Sequence, residues 1–170
     1  MSPGFSLLLL LPAALILALL LRRRRRGKAP VILIDGSNVL YWRDNAPSLV
    51  PLQELVARLR QEGFSPGVVF DANVGYRLEG RYRDDADLAR RLGLPAERVL
   101  VVPKGQPADP VILAVAKENG ARIVTNDRYR DWAAAHPEVA EPGRLIRGGY
   151  RDGRLWLALD QAPRAPLKSP

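Results

Sequence analysis

Val31-Ile32-Leu33-Ile34-Asp35-Gly36-Ser37-Asn38 decides how this 170-residue chain is read. Four apolar, mostly β-branched residues run straight into an acid, a glycine and two small polar residues, the pattern of a buried parallel strand opening into a functional loop. In open α/β sheets, ligands sit at the carboxyl ends of the strands where the topology reverses. Asp35 is therefore expected on that rim. Gly36 lets the backbone turn tightly, and Ser37 and Asn38 are suited to hydrogen-bond the acid or a phosphate. Three further aspartates are expected there: Asp71 behind Gly67-Val68-Val69-Phe70, Asp109 beyond the apolar run 99–102, and Asp127 behind Arg122-Ile123-Val124-Thr125-Asn126. Carboxylates crowded into one crevice repel one another unless they share a cation, which points to a divalent-metal site.

Composition narrows the chemistry. No cysteine is present, so disulfides, thiolate nucleophiles and cysteine zinc sites are excluded. His136 is the sole histidine, which rules out a histidine-rich metal centre and leaves one residue for any Ser-His-Asp triad. At 47% apolar the chain can bury a core of one domain. The net charge of +8 is unevenly spread: six of the 26 basic residues lie between Arg22 and Lys28, leaving 20 against 18 acids elsewhere. The globular part is nearly neutral, and bulk charge alone does not argue for nucleic acid.

The stretch from Phe5 to Leu21 is seventeen residues without a charge, ten of them leucine. As a helix it spans roughly 25 Å, within reach of a bilayer core with slight thinning. A cleaved signal peptide would carry its positive charge before the apolar run and small residues at its end; here the arginines follow it. An uncleaved single-pass anchor is expected, with the arginines holding the following domain in the cytoplasm, as in a bacterial inner-membrane protein. The organisation expected is an anchor with its basic segment over 1–28, one domain over 29–160 and a frayed tail over 161–170.

Within the domain, apolar residues at Leu52, Leu55, Val56 and Leu59 mark a helix over 49–60, stopped near Gly63. Residues 68–70 read as the second strand and 71–83 as a long loop. A helix from Asp84 or Asp85 to Leu92, a strand over 98–102, a helix over 110–119, a strand over 122–125 and a helix over 129–135 follow. Residues 144–147 and 155–159, flanking Arg151-Asp152-Gly153, suggest a terminal hairpin or two more strands. Strands alternating with helices predict parallel βαβ units.

The acids have different alternatives. Asp35 follows a strand with no obvious helix to cap. Asp109, ahead of Pro110, is a good N-cap, as is Asp127 ahead of its helix, and capping is compatible with metal binding. Asp71 and Asp131 are possible supporting acids, whereas Asp84, Asp85 and Asp87 fit a helix start. Arg77, Arg81, Arg83, Arg128 and Arg130 are candidate phosphate ligands or simply solvated side chains.

Ile34-Asp35-Gly36-Ser37-Asn38-Val39, Ala108-Asp109-Pro110-Val111-Ile112-Leu113 and Ile123-Val124-Thr125-Asn126-Asp127-Arg128-Tyr129-Arg130-Asp131 together resemble the NYN-domain, PIN-like ribonucleases, in particular the Regnase group of CCCH zinc-finger proteins. The similarity runs from about Val31 to Leu159. It implies a Rossmann-like three-layer α/β/α sandwich with a mainly parallel sheet, and an endoribonuclease that hydrolyses single-stranded RNA. It further implies Mg²⁺ or Mn²⁺ held by Asp35, Asp109 and Asp127, with Asn38 orienting water or phosphate. Ser37, Arg77 and Arg128 are then candidate substrate contacts, and Tyr41, Trp42 and Tyr76 candidate stacking partners for unpaired bases. Two departures stand out: Ala108 occupies the first of a pair of acids in the Regnase pattern, and no zinc finger follows. Asp71 is a candidate replacement for the missing charge. The rivals are a non-catalytic membrane-tethered RNA-binding or scaffold domain and a haloacid-dehalogenase-like phosphatase; the latter needs an acid where Ser37 stands. A dinucleotide site lacks its Gly-x-Gly-x-x-Gly after the first strand.

Overall fold

The computed structural model describes residues 29–159. The expected membrane span, its arginine block and the tail beyond 160 lie outside them. Among the described residues no helix is long and apolar enough to cross a membrane.

Strands β1 (Val31–Asp35), β2 (Ser65–Phe70), β3 (Val99–Val101), β4 (Arg122–Val124) and β5 (Leu145–Ile146) form one sheet in the order β3-β2-β1-β4-β5. Every neighbouring pair is parallel. The chain winds outward from β1 to β3 and then returns to the other side of β1, so the topology reverses between β1 and β4. Helices α1 (Gly36–Val39), α2 (Val50–Gln61), α3 (Val74–Glu79), α4 (Asp85–Leu92) and α5 (Ala108–Glu118) connect the strands.

Alternate strand residues serve opposite faces. Ile32, Ile34, Val68 and Phe70 pack with α2 and α4 through Leu52, Leu55, Leu59, Leu88 and Leu92. Leu33, Val69 and Ile123 pack with α5 through Ile112, Leu113 and Ala116. With both faces covered the sheet is the middle of three layers, which is why its strands read as continuous apolar runs. The α4 boundaries follow the local signals: the Asp84 carboxylate accepts from Asp87 N at 2.8 Å, and Gly93 closes the helix at φ +64°.

Three segments depart from the sequence reading. Residues 71–83 are not a plain loop, because Val74 and Gly75 are buried and start α3. Gly75 is fitted closely there: a Cβ on it would lie 2.4 Å from Arg81 O and 2.5 Å from Arg83 N. Residues 129–135 hold only a 3-10 turn at Arg130–Trp132; Tyr129, at φ +47°, stands outside it as its N-cap. At the end, Leu145–Ile146 joins the main sheet, while β6 (Gly148–Arg151) and β7 (Arg154–Leu157) make a separate antiparallel hairpin. Its turn puts Asp152 and Gly153 at φ 50° and 70°, the left-handed pair a two-residue hairpin turn requires. The Trp42 ring and Leu157 lie so close to Gly148 that a Cβ there would meet them at 2.6 and 2.7 Å, which seats the hairpin against the segment after α1.

Candidate active site

Asp35 ends β1 and is 9% exposed. It does have a helix to cap, against the expectation: its Oδ1 accepts from Asn38 N at 3.1 Å, closing the four-residue α1. A helix this short leaves no apolar periodicity in the sequence to reveal it. Oδ2 accepts from Thr125 Oγ and from Tyr129 Oη, each at 2.9 Å. Burial pushes the Asp35 carboxyl above its ordinary value; the three donors pull it back in part, and the charge of Asp109 pushes it up again.

Asp109 is the second residue of α5 and not its cap, which is Pro107; the helix begins earlier because Ala108 is itself buried. The Asp109 Oδ2 accepts from Trp132 Nε1 at 3.3 Å. Burial raises its carboxyl above the usual range, then the charge of Asp127, with smaller pushes from Asp71 and Asp131. Asp35, Asp71, Asp127 and Asp131, which with Asp109 come from four segments of the chain, are thus each coupled electrostatically to Asp109.

Asp127 is exposed and does not cap a regular helix. Its N–H donates to Thr125 Oγ at 3.0 Å and its Oδ1 accepts from Tyr129 N at 2.7 Å, a local turn that holds Tyr129 in its left-handed conformation. Thr125 therefore links two of the acids, donating to Asp35 and accepting from Asp127 N.

Asn38 is used twice through one atom: its Oδ1 accepts from Trp42 Nε1 at 2.9 Å and from Asn126 N at 3.0 Å. The Asn126 side chain in turn bridges to the hairpin, donating to Gly148 O at 2.8 Å and accepting from Gly148 N at 3.3 Å. Asn38, Asn126, Asp127, Arg128, Arg130 and Asp131 line one polar cleft of about 510 Å³. Arg77 does not line it; on α3 it donates to Asn73 Oδ1 and Tyr41 Oη. Ser37 Oγ accepts from Asp71 N at 2.9 Å, tying the end of β2 to α1. Trp42 is not a free stacking surface, because its indole N–H is held by Asn38 and its ring packs on Gly148.

Thr125, Tyr129, Asn126 and Trp132 were not singled out as site residues from the sequence. Their only signal was membership of the 123–131 motif, because each acts through a partner far away in the chain. Asn38→Ala is expected to leave Trp42 Nε1 and Asn126 N without their acceptor and to cost about 1–3 kcal/mol of stability, measured by urea denaturation.

Among the described residues no three acidic or histidine side chains form a ready-made cage. In kind and in charge the set nevertheless fits a divalent cation: Asp35, Asp109 and Asp127 offer hard oxygen donors, and a cation would offset the burial that chiefly raises Asp35 and Asp109 together with the lesser repulsion between the acids.

The family model described as the Zc3h12a-like ribonuclease NYN domain matches residues 28–148. No curated protein sequence matches the chain. Among solved structures, the nuclear proteinaceous RNase P 2 (PRORP2) of A. thaliana is similar at a TM-score of 0.58 and 17% identity, over 81% of this chain and 31% of that one. A second structure, Arabidopsis thaliana nuclear protein-only RNase P 2 (PRORP2), gives a TM-score of 0.55 and 18% identity over 92% of this chain and 35% of that one. These likenesses show the PIN-like α/β fold, and the chain spans about a third of the length of either.

Proposed function

The chain belongs to the Zc3h12a-like ribonuclease NYN-domain family, and from that premise we propose that it is a membrane-anchored, divalent-metal-dependent endoribonuclease hydrolysing phosphodiester bonds of single-stranded RNA. The observation that supports this reading is that Asp35, held by Asn38 N, Thr125 and Tyr129 beside the point where the sheet topology reverses, feels the charge of Asp109, and Asp109 in turn that of Asp127.

Asp35, Asp109 and Asp127 are the residues that would hold Mg²⁺ or Mn²⁺. When bound, such an ion supplies Lewis acidity and neutralises charge building on the phosphate. The chain's own residues do the rest. Two hydroxyls and a backbone N–H fix the Asp35 carboxylate, so no reorganisation is needed as charge develops. With its Oδ1 occupied twice, Asn38 has its Nδ2 to offer to a phosphate oxygen or the attacking water. Arg128 and Arg130, on the same cleft, supply cationic contacts to the RNA backbone, while Arg77 on α3 and Ser37 on α1 are further candidate contacts outside it. Asp71 stands behind Ser37 and adds charge where Ala108 supplies none.

The anchor reading rests on the apolar stretch from Phe5 to Leu21 followed by Arg22 to Arg26, which favours a cytoplasmic nuclease domain on a bacterial inner membrane. The second reading, a tethered RNA-binding or scaffold domain without catalysis, draws on Ala108 and on the lack of a ready-made cage among the described residues.

The full chain, purified in detergent, is expected to fragment single-stranded RNA in Mn²⁺ and to lose at least about 100-fold in rate when the metal is chelated, since metal catalysis supplies several kcal/mol. Gel analysis of a labelled RNA reads both. RNA retained on the protein but left intact in Mn²⁺ would favour the non-catalytic reading instead.

A further inference from the structure

The described residues hold a second, larger groove of about 970 Å³ on the same rim of the sheet, lined by Ala72, Asn73, Tyr76, Tyr82, Val102 and Lys104 among others. Its walls come from the ends of β2 and β3, next to the carboxylates along the chain. Asp71 immediately precedes Ala72, and the segment after Lys104 leads within five residues to Asp109. Tyr76 and Tyr82, 58% and 63% exposed, are the exposed large aromatic residues of the described chain. Both face the same groove.

The two tyrosines are held in fixed relation by backbone fit. Gly75, next to Tyr76, lies flush against the backbone on either side of Tyr82, at Arg81 O and Arg83 N. Glu79 braces the same loop from α3: it pairs with Arg81 at 3.4 Å and also with Arg83 and Arg91. Asp87 binds Arg83 and Arg91 at 3.1 Å each. Asp84 and Asp85 also line the groove, on the side where each takes a backbone N–H, Asp84 from Asp87 and Asp85 from Val101 at 2.9 Å, and both keep their charge. Lys104 is the cation on the lip.

We propose that this groove is a nucleobase subsite of the nuclease, in which an unpaired base of the RNA stacks on Tyr76 and Tyr82 while Lys104 meets the adjoining phosphate. The inference rests on the ribonuclease reading and extends it: the substrate path runs from the carboxylates across the end of β2 to the loop after β3. Two exposed aromatic faces on a closely fitted backbone, with a cation on the lip, suit single-stranded nucleic acid, because every base has a π-face and a duplex hides it. Stacking there binds substrate and transition state alike, so it acts on KM. A purine, with the larger face, is favoured over a pyrimidine.

The test uses the full chain in detergent with short fluorescent oligoadenylate and oligouridylate RNAs, with steady-state cleavage in Mn²⁺ and binding read in the metal-free state. The double substitution Tyr76→Ala with Tyr82→Ala is expected to raise KM and Kd for oligoadenylate by about tenfold or more, with most of the loss carried by KM. Tyr76→Phe with Tyr82→Phe, which keeps both rings, is expected to stay within about threefold of wild type. Both tyrosines are exposed, so circular dichroism melting should match wild type. A wild type that cleaves RNA while the alanine pair leaves KM and Kd unaltered would overturn the groove and spare the nuclease reading. A wild type that neither cleaves nor binds RNA would overturn both.

Discussion

Asp35→Asn should lower RNA cleavage by about three orders of magnitude or more while leaving the fold intact. Loss of a ligand charge removes metal-derived stabilisation worth several kcal/mol, and each 1.36 kcal/mol is a factor of ten in rate. The amide keeps the shape of the carboxylate, and the hydroxyls of Thr125 and Tyr129 can rotate to suit it. Gel assays with the full-chain variant in saturating Mn²⁺ provide the measurement. Cleavage by the variant at the wild-type rate would remove Asp35 from the mechanism.

The same variant has a signature in stability. The Asp35 carboxyl is raised above 3.8 by burial, so the folded chain binds its proton more tightly than the unfolded chain does. The favourable contribution is therefore present at low pH and is lost as pH rises through 3.8 towards the folded value. In metal-free buffer, Asp35→Asn should remove this part of the decline and melt at neutral pH no lower than wild type. Asp109, raised for the same reason, keeps its own share of the slope. Thermal melts across the acid range read both effects, and added Mn²⁺ should stabilise wild type more than the variant.

Phe70→Ala should cost about 3–5 kcal/mol, the usual toll for truncating a fully buried phenylalanine. Phe70 is 0% exposed at the end of β2, and its ring lies against Gly36, where an added Cβ would come within 2.4 Å. The side chain thus fills the core and supports the turn that carries Asp35, Ser37 and Asn38. Against a total stability of roughly 5–15 kcal/mol the loss is severe. Urea denaturation measures it; a cost under about 1 kcal/mol would mean that the ring is not packed as described. Phe70→Leu, which refills part of the space, should recover much of the stability.

Much of the frame was legible in the sequence because its causes are local. An apolar run ending in Asp-Gly-Ser-Asn specifies a buried strand with an acid at its carboxyl end. The spacing of Leu52, Leu55, Val56 and Leu59 specifies the buried face of α2, and Asp84 with Gly93 specifies both ends of α4. The 123–131 motif was readable as a unit, although its expected helix is only a short turn, because the Asp127 side chain takes the Tyr129 N–H and holds that residue in a left-handed conformation. Helix α3 was not legible because Gly75 looks like a loop residue until the 81–83 segment packs against it, and Gly80 is its left-handed C-cap.

The sequence by itself determined that aspartates follow apolar strands in a βαβ chain with no cysteine and one histidine, which rules out thiolate chemistry and a histidine-rich metal centre and points to carboxylate chemistry. Only the tertiary structure decided what each acid is tied to. Asp35 is held by Thr125 and Tyr129, 90 and 94 residues away, and Asn38 by Asn126, 88 residues away. Propensity, capping and periodicity act within a few residues of the chain, whereas a hydrogen bond across that separation exists only once the parallel sheet has set β1 beside β4.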